Sequence, residues 1–164
     1  MAGEFTVGTS TLLLCRETLD TALRLLTALA RESLIGTAGA GVTVLVHGRT
    51  VTTAASDPLV ERADGLQYGL DEGPCLTALR EGVAVRVDEM RTETRWPRWT
   101  GAVAPLGMRS SLSSPMVAGG VTIGAIKVYS RDSEVYDEHA ERVLALCAEQ
   151  AALLLGCAGP PAGP

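Results

Sequence analysis

Two long helical stretches bracket this sequence, and the first of them constrains the fold most. From about Ser10 to Ser33, the residues Leu12, Cys15, Leu19, Ala22, Leu26 and Leu29 recur at alternating spacings of three and four. Ser10 is the expected cap. Leu13, Leu23, Leu25 and Leu34 lie off that seam, so the helix is apolar on more than one side. A helix of that kind needs two partners. A second seam runs through Ala140, Leu144, Cys147, Ala151, Leu154 and Ala158 in a helix expected from Asp137 to Ala158, capped by Asp137. One side of each helix is expected to cover a sheet. The seam residues Leu12, Cys15, Leu19, Leu26, Leu144, Cys147, Ala151 and Leu154 are expected to meet a second copy of the chain, giving a homodimer.

The segments between the helices read mainly as strands. Gly36, Gly39 and Gly41 are expected to end the first helix as a linker. Val42–Val46 and Val51–Ala55 are β-branched runs around a His47-Gly48-Arg49 turn. Residues 58–70 look irregular, with room for a short helix. Pro74 suits a first helical position and Gly82 a stop. Val83, Val85 and Val87 alternate with polar or small residues as a half-buried strand. Trp96-Pro97-Arg98-Trp99 opens a helix that runs to about Leu106. Strands follow from Arg109 to Val117 and from Val121 to Ser130, joined at Gly119-Gly120. Hairpins and helix-bearing connections between five strands predict an α+β domain with an antiparallel sheet. A single domain is expected over 10–158, with a flexible tail at 159–164.

Composition narrows the function classes. Of 164 residues 46% are hydrophobic, so a real core is available and disorder is excluded. Nineteen acids against fourteen bases leave a net charge of −5, the wrong sign for a nucleic-acid binder. Aromatics make up 4%, too few for a base-stacking platform. No apolar run approaches the roughly 18 residues a membrane span needs. A basic start followed by an apolar stretch is also lacking, so a cytoplasmic location is expected. Cys15, Cys75, Cys147 and Cys157 show no Cys-x-x-Cys spacing, and His47 and His139 are the only histidines. Neither a metal nor a cofactor is expected.

The stretch Asp71-Glu72-Gly73-Pro74-Cys75-Leu76 is the most informative. It places Cys75 in the first turn of a helix, where free N–H groups stabilise a thiolate, while Asp71 and Glu72 oppose that effect. Cys75 is thus either a reactive or ligand-contacting thiol or a small packing residue. Trp96 and Trp99, three apart, share one helix face and either cover the sheet edge or wall a pocket. Ser110, Ser111, Ser113 and Ser114 make an unusually polar strand, of which strand parity lets only one pair face a pocket. A Gly-x-Ser-x-Gly elbow and a phosphate-binding loop are both missing.

Leu66-Gln67-Tyr68 and Glu72-Gly73-Pro74-Cys75-Leu76 resemble the signature of actinobacterial GAF domains, in particular of GAF modules that precede ANTAR RNA-binding domains. Val85-Arg86-Val87, Arg95-Trp96-Pro97, Gly107-Met108-Arg109-Ser110-Ser111, Pro115, Gly124-Ala125, Tyr129-Ser130 and Tyr136-Asp137 extend the likeness over residues 10 to 158. The resemblance implies a central antiparallel sheet of five to six strands with the terminal helices on one face. On the other face it implies short helices and loops over a small-molecule pocket. Candidate lining residues are Gln67, Tyr68, Cys75, Leu76, Trp96, Met108, Ser111 and Ser113. The cyclic-nucleotide motif of some GAF domains is missing. GAF-fold free methionine sulfoxide reductases pair a matching cysteine with one ten residues earlier, where this chain has Gly65. The expected function is therefore a non-enzymatic sensory or regulatory module. It would be a homodimer that binds a small molecule and relays the signal through its terminal helices. No nucleic acid or membrane partner is expected. The alternative is a thiol-based redox enzyme or switch centred on Cys75.

Overall fold

The computed structural model describes residues 9–157, and side chains from 16 to 156. Helix α1 (Thr9–Ser33) leads into strands β1 (Thr37–Val46) and β2 (Arg49–Ala55). Helices α2 (Pro58–Leu70) and α3 (Pro74–Glu81) follow, then strand β3 (Val85–Val87). Helix α4 (Pro97–Val103) runs into a 3-10 turn at Ala104–Leu106. Strands β4 (Ser110–Ala118) and β5 (Val121–Ser130) and helix α5 (Glu138–Cys157) complete the order. The strands form one antiparallel sheet in the order β2-β1-β5-β4-β3. This is the expected α+β architecture. Ser10 and Cys15, at the start of α1, have side chains outside the described ones, as do Leu12, Cys157 and Ala158. The tail 159–164 lies outside the described residues altogether.

Helices α1 and α5 lie together on one sheet face, over Ala40, Val42, Leu112, Met116, Ile126 and Val128. Asp137 caps α5 as expected, its Oδ1 accepting the Ala140 N–H at 2.9 Å. Among the described seam residues, however, most point into this chain's own core, while Leu29 and Leu154 do not. Leu144, Cys147 and Ala151 are buried in it, and Leu19 and Leu26 pack against it. The physical reason is that two adjacent helices over one sheet each bury a stripe against it and a second stripe against each other. The leucines left outward are Leu25, Leu29, Leu146 and Leu153, with Leu154 on the margin.

Two segments depart from expectation. Gly39 and Gly41 are not linker but the first half of β1, paired with Tyr129 and Lys127 of β5. A Cβ at Gly39 would stand 2.5 Å from Val60 Cγ2, and one at Gly41 2.7 Å from Val60 Cγ1. These glycines let α2 lie directly on the strand. Residues 58–70 form a full thirteen-residue helix, not an irregular run. Asp57 caps it by accepting the Leu59 N–H at 2.7 Å, and Pro58 occupies its first turn. Its inward positions are Val60, Ala63, Asp64 and Gln67, at helical spacing but half of them polar. A hydrophobic pattern is blind to such a face.

Candidate functional site

On the sheet face away from α1 and α5, strand parity lines up a different set of side chains. Ser113 pairs with Val85 and with Lys127, and Ser111 pairs with Val87 and with Tyr129. This assigns the strand parity left open above: the odd-numbered serines face α2, α3 and α4. Ser110 faces the other way and donates to the Asp132 carbonyl at 2.7 Å.

The centre of this face is charged and dry. Lys127, Asp64, Gln67, Tyr129, Thr43 and Cys75 are all fully buried. Lys127 Nζ lies 2.5 Å from Asp64 Oδ2 and donates to Thr43 Oγ1 at the same distance. An ammonium only donates, so Thr43 must accept from it, and the Cys75 thiol donates to the same oxygen at 3.6 Å. The Thr43 hydrogen is thereby directed to Tyr68 Oη, 2.6 Å away. Tyr68 in turn donates to Thr52 Oγ1 at 2.8 Å, and Thr52 donates to Asp64 Oδ2 at 2.7 Å. On the other side Gln67 Nε2 donates to Tyr129 Oη at 2.8 Å, and Tyr129 donates to Asp64 Oδ1 at 3.1 Å. Every chain of donors therefore ends on the Asp64 carboxylate.

The electrostatics follow from that convergence. Burial by itself would lower the Lys127 pKa, but Asp64, with smaller help from Cys75 and Tyr68, reverses this and holds the ammonium charged. Burial raises the Tyr129 and Tyr68 phenols, so both stay protonated donors. Burial likewise pushes the Cys75 thiol up, and the Lys127 charge offsets this only in part. The helix N-terminus does not generate a thiolate here. The Cys75 N–H is itself spent on Gln67 Oε1 at 2.9 Å. Gly73 makes that approach possible, because a Cβ there would sit 2.1 Å from Gln67 Oε1. The acids Asp71 and Glu72, expected to oppose a thiolate, are turned outward instead. Asp71 pairs with Arg80. Glu72 accepts from Arg98 Nε at 2.6 Å and from the Arg98 and Trp99 backbone N–H groups at 3.0 and 3.3 Å, which fastens the start of α4.

Two hydroxyls on this face stand outside the network. Ser111 Oγ and Ser113 Oγ are buried and have no hydrogen-bond partner among the described residues. An unpaired buried hydroxyl costs about 1–3 kcal/mol, so these two are the energetic weak points of this face.

The structure thus brings Gln67, Tyr68, Cys75, Ser111 and Ser113 to one face. Leu76 is buried on α3 beside Cys75. Trp96 is buried and donates its Nε1 hydrogen to Thr77 at 3.1 Å, at the margin of the group. Met108 lines a separate cleft near α4, to which none of the other seven candidates contributes. Sequence reasoning missed Lys127, Asp64, Thr43, Thr52 and Tyr129. The signal for Lys127 was present: it is the only lysine in the chain and stands in β5 between Ile126 and Val128. Among the described residues no group of three or more His, Cys, Asp or Glu could hold a metal ion, and no helix is long and apolar enough to cross a membrane.

A five-stranded antiparallel sheet with paired terminal helices behind it and short helices over a polar inner face defines an α+β domain. The GAF domain model matches residues 16–155, and the chain belongs to the GAF domain family. Solved structures agree on the fold. The type II free methionine-R-sulfoxide reductase of Thermoplasma acidophilum superposes with a TM-score of 0.71 at 19% identity, covering 86% of this chain and 94% of that one. The free methionine-R-sulfoxide reductase of Neisseria meningitidis, solved with its substrate, gives 0.67 at 17% identity over 96% of each chain. The GAF domain of an Acinetobacter phosphoenolpyruvate-protein phosphotransferase gives 0.66 at 15% identity, covering 91% and 92%. Comparison with curated protein sequences gives no match. The two reductases correct the expectation that the chain is not an enzyme: this fold houses catalysis as well as sensing.

Proposed function

We propose that this chain is a cytoplasmic regulatory GAF module that binds a small polar molecule on its inner sheet face. The observation that carries the reading is the pair of unpartnered, fully buried serines, Ser111 and Ser113, beside the Lys127–Asp64 network. A ligand with hydrogen-bonding groups satisfies those hydroxyls and competes for the donors that converge on Asp64. The route outward is strand parity. Lys127 lies in the network, while its neighbours Ile126 and Val128 pack under α1 and α5. A ligand that shifts β5 repacks those helices.

Self-association through the terminal helices completes the reading. It falls to the outward leucines Leu25, Leu29, Leu146 and Leu153, of which Leu29 belongs to the seam, since Leu19, Leu26, Leu144, Cys147 and Ala151 are used within the chain. The motif set resembling GAF modules of GAF-ANTAR regulators supports a role as the sensing part of such a regulator.

Native mass spectrometry of freshly purified protein tests both parts at once. The expected result is a dimer carrying an added non-protein mass, with that mass lost in the Ser111→Ala/Ser113→Ala variant while the dimer persists. A bare monomer, or an added mass indifferent to both serines, overturns the reading.

A further inference from the structure

A concavity lies apart from the polar network. It is a cleft of about 500 Å³ between α4, the segment 90–94 that follows β3, and the turn into β4. That volume suits a small-molecule ligand. Its floor is made by Met90 and Met108, both almost fully buried. Methionine side chains are soft and adjust to irregular apolar shapes. Pro97 and Gly101 of α4, with Ala104 of the 3-10 turn after it, form one wall. The segment is held in place, because the Met90 N–H donates to the Arg109 carbonyl at 2.7 Å.

The charges at the mouth differ from those of the molecule as a whole. The charged lining side chains are Arg91, Arg109 and Glu93. Glu93 is closed by Arg95, Nη2 to Oε2 at 2.7 Å, and Arg109 is closed by Glu89. Arg91 is exposed at the rim and makes no side-chain ion pair within 4 Å among the described residues; Glu89, which closes Arg109, accepts the Arg91 backbone N–H at 3.0 Å and is the carboxylate its charge acts on. A chain of net charge −5 thus presents a cleft with an apolar floor, a polar rim and one guanidinium at its edge that no side-chain ion pair closes. A guanidinium is a bidentate partner for a carboxylate.

We propose that this cleft is a binding site for an amphiphilic monocarboxylate, a small acid with an apolar acyl or aryl body. The body lies on Met90 and Met108 along the α4 wall, and the carboxylate meets Arg91 at the rim. The site is independent of the inner face, so it stands or falls separately from the function proposed above.

The chain has four methionines, and Met116 is buried in the opposite core under the terminal helices. Methyl NMR of the methionine-labelled 164-residue chain therefore carries its own control. Octanoate is the probe, octanamide the neutral isostere and octylamine the cationic one. Titration with octanoate is expected to shift the Met90 and Met108 methyls to saturation and to leave Met116 in place. Arg91→Gln is expected to weaken octanoate roughly tenfold, the worth of one charge-assisted hydrogen bond, while octanamide binds as before. Gly101→Leu is expected to abolish both, since a Cβ there meets nothing within 4 Å and the added carbons fill the cleft. The Ser111→Ala/Ser113→Ala variant is expected to bind octanoate normally. The proposal is overturned if Met116 moves with Met90 and Met108, if octylamine binds as well as octanoate, or if neither Arg91→Gln nor Gly101→Leu changes the titration.

Discussion

The two faces of one sheet are built on opposite plans. The face under α1 and α5 has an apolar centre, with Val42, Leu112, Ile126 and Leu144 among its fully buried residues. The face under α2, α3 and α4 has apolar margins, Trp99, Val60 and Val87, around a buried ammonium, a buried carboxylate and their ring of hydroxyls. Neighbouring residues of the same strands serve both. Long helices supply enough apolar surface to seal a face without help. Short helices leave a centre that is filled instead by a directional polar network, and such a network specifies one arrangement because every donor must find its acceptor. The first plan yields a scaffold and the second yields a place that can respond.

The sharpest break of this comparison is Lys127→Met. It leaves Asp64 buried without its cation, which costs about 3–5 kcal/mol and lowers the melting temperature by roughly 10 °C. The double variant Lys127→Met/Asp64→Leu is expected to recover a large part of that loss in thermal denaturation. Leu144→Ala on the other face costs about 2–5 kcal/mol through its cavity, and no polar-to-apolar partner change rescues it. Additive losses for Lys127 and Asp64 would show that the inner face is not an electrostatic unit.

A smaller effect tests how the short helices dock. Gly39→Ala forces its methyl into Val60 and is expected to cost about 2 kcal/mol. Val60→Ala makes room for it, so the double variant should cost less than the sum of the two single changes in denaturant titrations. Strict additivity would mean that α2 does not rest on β1 at that point.

The smallest effect is at the rim and depends on pH. Arg98, through its side chain and then its backbone with that of Trp99, holds the Glu72 carboxyl below the ordinary glutamate value. A depressed folded-state pKa gives stability that is complete above the unfolded value of about 4.3 and disappears as pH falls through the lowered one. Glu72→Gln should therefore melt slightly below the wild type at pH 7 and match it near pH 3. A gap that persists at pH 3 would assign the role of Glu72 to its shape and not its charge.

Legibility from sequence followed physical type. Helices α1 and α5 and the strands β4 and β5 were readable because apolar spacing reports which side is buried, and the turns at Gly119-Gly120 and Gly82 because glycine marks positive φ. Helix α2 was not, since Asp64 and Gln67 occupy core positions that a hydrophobicity pattern scores as surface. Gly39 and Gly41 read as linker because their purpose is another element's approach, which no local window contains.

The sequence by itself determined the element order except for α2, the antiparallel sheet and the likeness to GAF modules, all carried by short-range spacing along the chain. Only the tertiary structure decided which serines face inward, that Lys127 and Asp64 meet across 63 residues of chain, and that Leu19, Leu26, Leu144, Cys147 and Ala151 close on their own sheet. Those outcomes depend on pairings between distant segments. A buried charge is tolerable only where its partner arrives, so its place cannot be read until the chain is folded around it.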